Sequence, residues 1–195
     1  MPAPRLILAS TSPYRRELLA RLRLPFEVAS PGVDETPRAG ESPSELVVRL
    51  AREKARAVAA RYGDALVIGA DQVAVLGDEV LSKPLAHDNA VQQLRAMRGR
   101  RASFLTAVAV VRGSDGETRA RLVPCHVEFR NYSEEVIDRY LRVEQPYDCA
   151  GAAKIEGLGI ALVRRIDGED PTALIGLPLI ALVDLLGELG FDILL

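Results

Sequence analysis

The sequence predicts an α/β fold, a mixed sheet flanked by helices. Three observations predict it. Strand-like and helix-like patterns alternate along the chain, the signature of a sheet covered by helices. Residues 67–76, VIGADQVAVL, place β-forming residues on both parities without a Pro, as in a strand buried on both faces. Helix starts are also marked, most clearly by Ser12 followed by Pro13, a capping hydroxyl ahead of a residue suited to the first helical position.

In order along the chain, RLILAS (5–10) reads as a strand and SPYRRELLARL (12–22) as the first helix. PFEVAS (25–30) gives a short strand, and a polar loop with Pro and Gly from 31 to 43 leads into a long helix over 44–61. After the 67–76 strand, Gly77-Asp78 is a two-residue turn that returns Glu79–Leu81 as a hairpin. Residues 87–98 follow helical spacing. ASFLTAVAVVRG and TRARLVPCHVEFR are long strands joined at Ser114-Asp115-Gly116. SEEVIDRYLRV is a helix with Ser133 as its cap, GIALVRRI (159–166) is a strand, and GLPLIALVDLLGEL (176–189) closes the chain as an apolar helix. No repeat or interdomain linker interrupts this course, so residues 1–195 are expected to form a single domain.

Composition narrows the function. At 195 residues the chain can bury a sizeable core. A net charge of -2 leaves no basic excess for a polynucleotide backbone. The apolar part of MPAPRLILAS is too short for a secretory core, and ALIGLPLIALV is broken by Gly176 and Pro178 and ends at Asp184, short of a membrane span. A cytoplasmic protein without a membrane partner is expected. Cys125 and Cys149 form neither a disulfide framework nor a zinc motif, and His87 and His126 are isolated, with surface or capping roles expected.

Two charges sit where apolar residues belong. Asp71 lies inside the strand, and an unpaired buried carboxylate is costly. It should therefore be paired, metal-bound, or placed where the strand opens. Lys54 falls on the stripe of Val47, Leu50, Ala51 and Val58, where it either snorkels or serves a site. Lys83 follows the hairpin, and Arg15 and Arg16 open a helix directly after a strand, where free backbone N–H groups favour anions. Cations at element ends, with Asp71 and the Asp34-Glu35 pair, suit a phosphorylated substrate and a hard divalent metal. No Walker loop, dinucleotide fingerprint or HExxH motif is present. The residues alone leave a phosphate-ester hydrolase and a phosphate-binding module both open.

The segments LASTSPYRRELL, VDETP, RLAREKA, GADQV, SKP, CAGAAKIEGLG and GLPL together resemble the Maf family of nucleoside triphosphate pyrophosphatases, from Leu6 to about Leu186. The resemblance implies a Maf fold akin to the inosine triphosphate pyrophosphatase type, elongated, with a cleft between two lobes. It implies a cytoplasmic and often dimeric enzyme that uses a divalent cation, Mg or Mn, to cleave a nucleoside triphosphate between its α and β phosphates. By motif position, Ser12, Arg15, Lys54 and Lys83 would bind phosphate. Glu35 would help hold the metal, and Asp71 would be the catalytic carboxylate, the metal ligand, or both.

Tyr14, Gln72 and Glu156 resemble the branch of the family that acts on 7-methyl-GTP, with Tyr14 in place of the Trp expected there. The branch acting on dTTP and UTP tends to have Arg, Thr and Gln at these points. The implied chemistry is coherent. A cationic 7-methylguanine stacked on Tyr14 gains roughly 0.5–2 kcal/mol, and Glu156 can accept hydrogen bonds from guanine N1–H and the exocyclic amine. A surface Tyr and a solvated Glu are the plainer readings of either residue alone. The competing functions are a dTTP/UTP pyrophosphatase of the same family and a non-catalytic nucleotide-binding regulator of septum formation, which would not need Asp71 and Glu35 together.

Overall fold

The structure is a computed structural model describing residues 4–194. Residues 1–3, part of the N-terminal segment read as too short for a secretory core, and residue 195 lie outside the described residues.

Among the described residues, seven strands form a mixed sheet in the order β2-β1-β3-β5-β6-β7, with β4 paired to β3. The strands are β1 (Arg5–Ala9), β2 (Glu27–Ala29), β3 (Ala65–Leu76), β4 (Glu79–Leu81), β5 (Arg101–Arg112), β6 (Thr118–Phe129) and β7 (Val163–Gly168). The helices are α1 (Pro13–Ala20), α2 (Pro43–Ala59), α3 (His87–Met97), α4 (Glu134–Glu144) and α5 (Leu179–Glu188). The predicted α/β class is the one observed. β1 pairs in parallel with β2 and β3, whereas β3–β4 and β6–β7 are antiparallel.

The chain divides into two compact units. Among the described residues, the first comprises 4–71, 106–123 and 170–194, and the second 72–105 and 124–169. In the first unit, β1 and the start of β3 are buried on both faces. One side packs against Leu18 and Leu19 of α1 and Leu182, Leu185 and Leu186 of α5, and the other against Ala55 and Val58 of α2. Helix α5 is thus chiefly a core element, with Ile180 and Val183 left exposed. In the second unit, α3 and α4 bury Leu94, Met97, Ile137 and Leu141.

Local rules explain most boundaries. Ser12 caps α1 by accepting a hydrogen bond from the Arg15 amide. Helix α2 begins at Pro43 because Ser42 and Glu45 form a reciprocal capping box. The predicted hairpin is present, with Gly77 at φ +64° and Leu76 opposite Glu79. Two expectations differ. Ser133 occupies the cap position of α4 but makes no side-chain cap bond; its hydroxyl bonds the Glu135 carboxylate instead. The segment read as a strand from 159 forms a 3-10 turn over Leu158–Leu162, and β7 starts only at Val163. The amides of Gly157 and Gly159 both donate to the Lys154 carbonyl, which curls the chain back before it can extend.

Candidate active site

In the first unit, α2 lies unusually close to β3. A Cβ on Gly69 would stand 2.2 Å from the Ala51 carbonyl oxygen and 2.7 Å from the Ala55 nitrogen, so only glycine allows this approach. Two residues further along the same strand face is Asp71. Lys54, between Ala51 and Ala55 on the helix, therefore reaches it directly.

Lys54 is buried, at 4 % exposure, and does not snorkel to solvent. Its Nζ donates to Asp71 Oδ1 at 2.7 Å and lies 2.8 Å from Glu35 Oε1. The Asp71 side chain is almost covered while that of Glu35 is largely open, so one buried ammonium joins an inner carboxylate to an outer one. Asp71 is paired, as the cost of an isolated buried carboxylate demands.

Arg15, in the first turn of α1, donates from Nε to the Gly176 carbonyl at 2.9 Å. Burial pushes its guanidinium below the ordinary arginine range, and the fields of Asp71 and Glu35 oppose that push. Ser12 stands at the start of the same helix, beside a depression of about 330 Å³ lined in part by Ser10, Thr11, Ser12, Pro13 and Arg16. Hydroxyls and amides at a helix N-terminus form an anion-binding end.

The loop that supplies Glu35 is fastened to α2. Arg49 donates to Glu41 from Nε at 2.5 Å and from Nη2 at 2.7 Å, and Nη2 also reaches the Thr36 carbonyl at 3.2 Å. The Asp34 carboxylate accepts from the amide and hydroxyl of Thr36. Arg49 holds the Glu41 carboxyl down to about 2.

Ser12, Arg15, Glu35, Lys54 and Asp71 thus belong to one unit, with Tyr14 half-buried in the first turn of α1. Gln72, Lys83 and Glu156 belong to the other: Gln72 half-buried on β3, Lys83 exposed after β4, and Glu156 exposed in the loop before β7.

Two supporting groups escaped the sequence reading. Asp170, 3 % exposed, accepts from the Thr172 amide at 2.9 Å and hydroxyl at 2.6 Å through Oδ1, and from the Ile180 amide at 2.8 Å through Oδ2. The Thr172 hydroxyl in turn accepts from the Leu179 amide at 2.8 Å. Together they cap α5 and fix the turn that offers the Gly176 carbonyl to Arg15. The second group is Tyr140, Glu144 and Lys154 of the other unit. Lys154 Nζ donates to Glu144 Oε1 at 2.7 Å. The acid Asp170, beside Thr172 and ahead of an apolar helix, was the available signal for the first; nothing in the spacing of 144 and 154 marks the second.

Comparison with known proteins places this geometry. The profile of the Maf-like protein family matches residues 5–189. The chain belongs to the Maf family. Among its relatives, the 7-methyl-GTP pyrophosphatase of Cupriavidus metallidurans is 55% identical over 188 residues, covering 96% of this chain and 94% of that protein. Those of Methylobacillus flagellatus and Pseudomonas aeruginosa are 56% and 55% identical over 190 residues, covering 97% of this chain and 99% of each relative. Of solved structures, the Staphylococcus aureus Ham1 protein aligns with 67% of this Maf chain and 75% of its own at a TM-score of 0.47 and 19% identity.

A divalent cation, implied by the Maf resemblance, needs hard oxygen donors. Among the described residues no group of three or more His, Cys, Asp or Glu could hold a metal. Two carboxylates do converge, since Asp71 and Glu35 meet the same Lys54 ammonium. That donor set fits a magnesium-like ion, which commonly takes one or two carboxylates and completes its shell with water and substrate phosphates. Also among the described residues, no helix is long and apolar enough to cross a membrane.

Proposed function

We propose that this protein hydrolyses the α–β phosphoanhydride of 7-methyl-GTP, giving 7-methyl-GMP and pyrophosphate. The observation that carries the chemistry is the buried Lys54 ammonium shared by Asp71 and Glu35. The substrate is supported by relatives named 7-methyl-GTP pyrophosphatase that align over nearly the whole chain.

In this reading Asp71 orients the attacking water and accepts its proton, while the P–O bond breaks and pyrophosphate departs. General-base help is usually worth about 10²–10⁴-fold, so fixed charge must supply much of the remaining acceleration. Arg15 and Lys54 provide it in the first unit, with Ser12 at the helix end, and Lys83 is a further phosphate ligand. Glu35 and Asp71 would hold the divalent cation, Mg or Mn, which neutralises phosphate charge and acidifies bound water. Tyr14, Gln72 and Glu156 read the base. The enzyme is expected to act in the cytoplasm, and as a homodimer, which sedimentation would test.

The experiment is pyrophosphate release with magnesium or manganese across 7-methyl-GTP, GTP, dTTP, UTP and CTP, with Asp71→Ala as the blank. Preference for 7-methyl-GTP that vanishes in the variant is expected. Preference for dTTP or UTP overturns the substrate, and release unaffected by the variant overturns Asp71.

A further inference from the structure

The chain between β4 and α3, within the second unit, is pinned on both sides of Lys83. The Ser82 carbonyl accepts from Gln93 Nε2 at 3.0 Å and from the Gly151 amide at 3.5 Å. The Pro84 carbonyl accepts from Asn89 Nδ2 at 2.9 Å and from the Ala86 amide at 2.7 Å. Asn89 and Gln93 stand four residues apart on α3, so one face of that helix holds both chain neighbours of an exposed lysine.

Two features of this segment cost stability. The bond from Ala86 to Pro84 closes a three-residue turn about Leu85, which has φ +58° and is 78 % exposed. A turn of that hand is strained, and a side chain left in solvent recovers little by burial. The Leu85 amide donates to the Tyr147 carbonyl at 3.0 Å, which holds the turn in place. Gln93 carries the second feature. While its Nε2 donates to Ser82, its Oε1 is buried and meets no hydrogen-bond donor among the described residues. A buried acceptor without a donor is destabilising, and an apolar side chain of the same length would fill that helical position without one. Packing alone therefore does not account for the amide, whereas its donor does.

Lysine binds phosphate as a point charge on a flexible stem, so a fold places it by fixing the backbone from which the stem starts. We propose that Gln93 is a positioning residue for Lys83: its amide holds the Ser82 carbonyl and so sets where the Lys83 ammonium meets a phosphate. The inference rests on the reading of Lys83 given above as a phosphate ligand.

The test is a double-variant cycle. Steady-state kinetics and thermal unfolding are measured for Lys83→Ala, Gln93→Met and the two combined, on whichever of the five nucleotides named above the unaltered protein turns over best. Gln93→Met keeps the length of the side chain and its helix propensity but removes the donor and the orphaned oxygen together. It should lower kcat/KM at least about five-fold, through the same constant, KM or kcat, that Lys83→Ala moves, and leave Tm unchanged or higher. In the Lys83→Ala background the same substitution should change kcat/KM less than about two-fold, because the residue it acts through is gone. A role in folding alone predicts a lower Tm and the same fractional loss with and without Lys83, and that result overturns the proposal. So does full kcat/KM in Gln93→Met while Lys83→Ala loses it. Unaltered kcat/KM in Lys83→Ala, or turnover of none of the five nucleotides, defeats the reading of Lys83 itself and takes this inference with it.

Discussion

The ammonium of Lys54 sits 2.7 Å from Oδ1 of Asp71, and both side chains are almost fully covered. Removing the two partners should have different consequences. Lys54→Met leaves a buried carboxylate without its cation, which typically costs about 3–5 kcal/mol. Asp71→Asn leaves Lys54 an amide oxygen and the open Glu35 carboxylate, and should cost less. Activity should order the other way if Asp71 handles the proton, with kcat in Asp71→Asn down by about 10²–10⁴. Thermal unfolding and pyrophosphate release on both variants check this. Near-full turnover in Asp71→Asn would remove the assigned role.

Gly69 controls whether that pair can form. Its missing side chain admits the backbone of α2, and backbone atoms cannot rotate away from an added methyl group as a side chain can. Gly69→Ala should destabilise by about 1–3 kcal/mol or more and reduce activity by displacing Lys54. Gly187 offers the contrast: it lies within α5 with nothing within 4 Å of a Cβ, so Gly187→Ala should stabilise by about 0.5–1 kcal/mol. Chemical denaturation of the two variants, read side by side, should give shifts of opposite sign. Equal small shifts would mean that α2 tolerates displacement.

The part of this site that was legible in the sequence was legible as violation. Asp71 interrupts an apolar strand and Lys54 an apolar helical stripe, and burial makes each anomaly expensive enough to require a partner. Glu35 could be placed near them only through its motif, because a loop carries no periodicity. Asp170 and Glu144 stayed hidden for a related reason. Their partners are amides of Ile180 and Leu158, and every residue except proline has an amide. The strand misplaced at 159 shows the same limit, since the apolar Gly159–Leu162 run matches a strand while the Lys154 carbonyl that curls it lies outside the run.

Asp170 carries a prediction of its own. As a buried carboxylate accepting three hydrogen bonds, it replaces the missing first-turn partners of α5. Asp170→Ala should cost about 2–4 kcal/mol, because charged hydrogen bonds contribute more than neutral ones. It should also raise KM, since the turn it fixes holds the Gly176 carbonyl against Arg15 Nε. Asp170→Asn, which keeps the acceptor oxygen on Oδ1, should be milder in both. Thermal melts with Michaelis kinetics separate these outcomes; a stability loss with unchanged KM would disconnect the cap from Arg15.

The anchor of the Glu35 loop should show itself in acid. Paired with Arg49, the Glu41 carboxyl is held at about 2 against an ordinary 4.5. Because the folded value is the lower one, the pair contributes stability that is fully present above the unfolded value, declines as pH falls from about 4.5 towards about 2, and is gone below that. Carboxyl NMR should therefore find Glu41 still ionised when exposed glutamates have titrated, and Arg49→Met should return it towards 4.5. That variant removes the Arg49 bonds to the Thr36 carbonyl and to the Glu41 carboxylate together and leaves Glu41 only the Arg38 amide, so the loop beside Glu35 loses its tether to α2 at every pH. Amide exchange over residues 34–41 should then rise at neutral pH as well. A Glu41 that titrates near 4.5 in the unaltered protein would show that the anchor is not closed in solution.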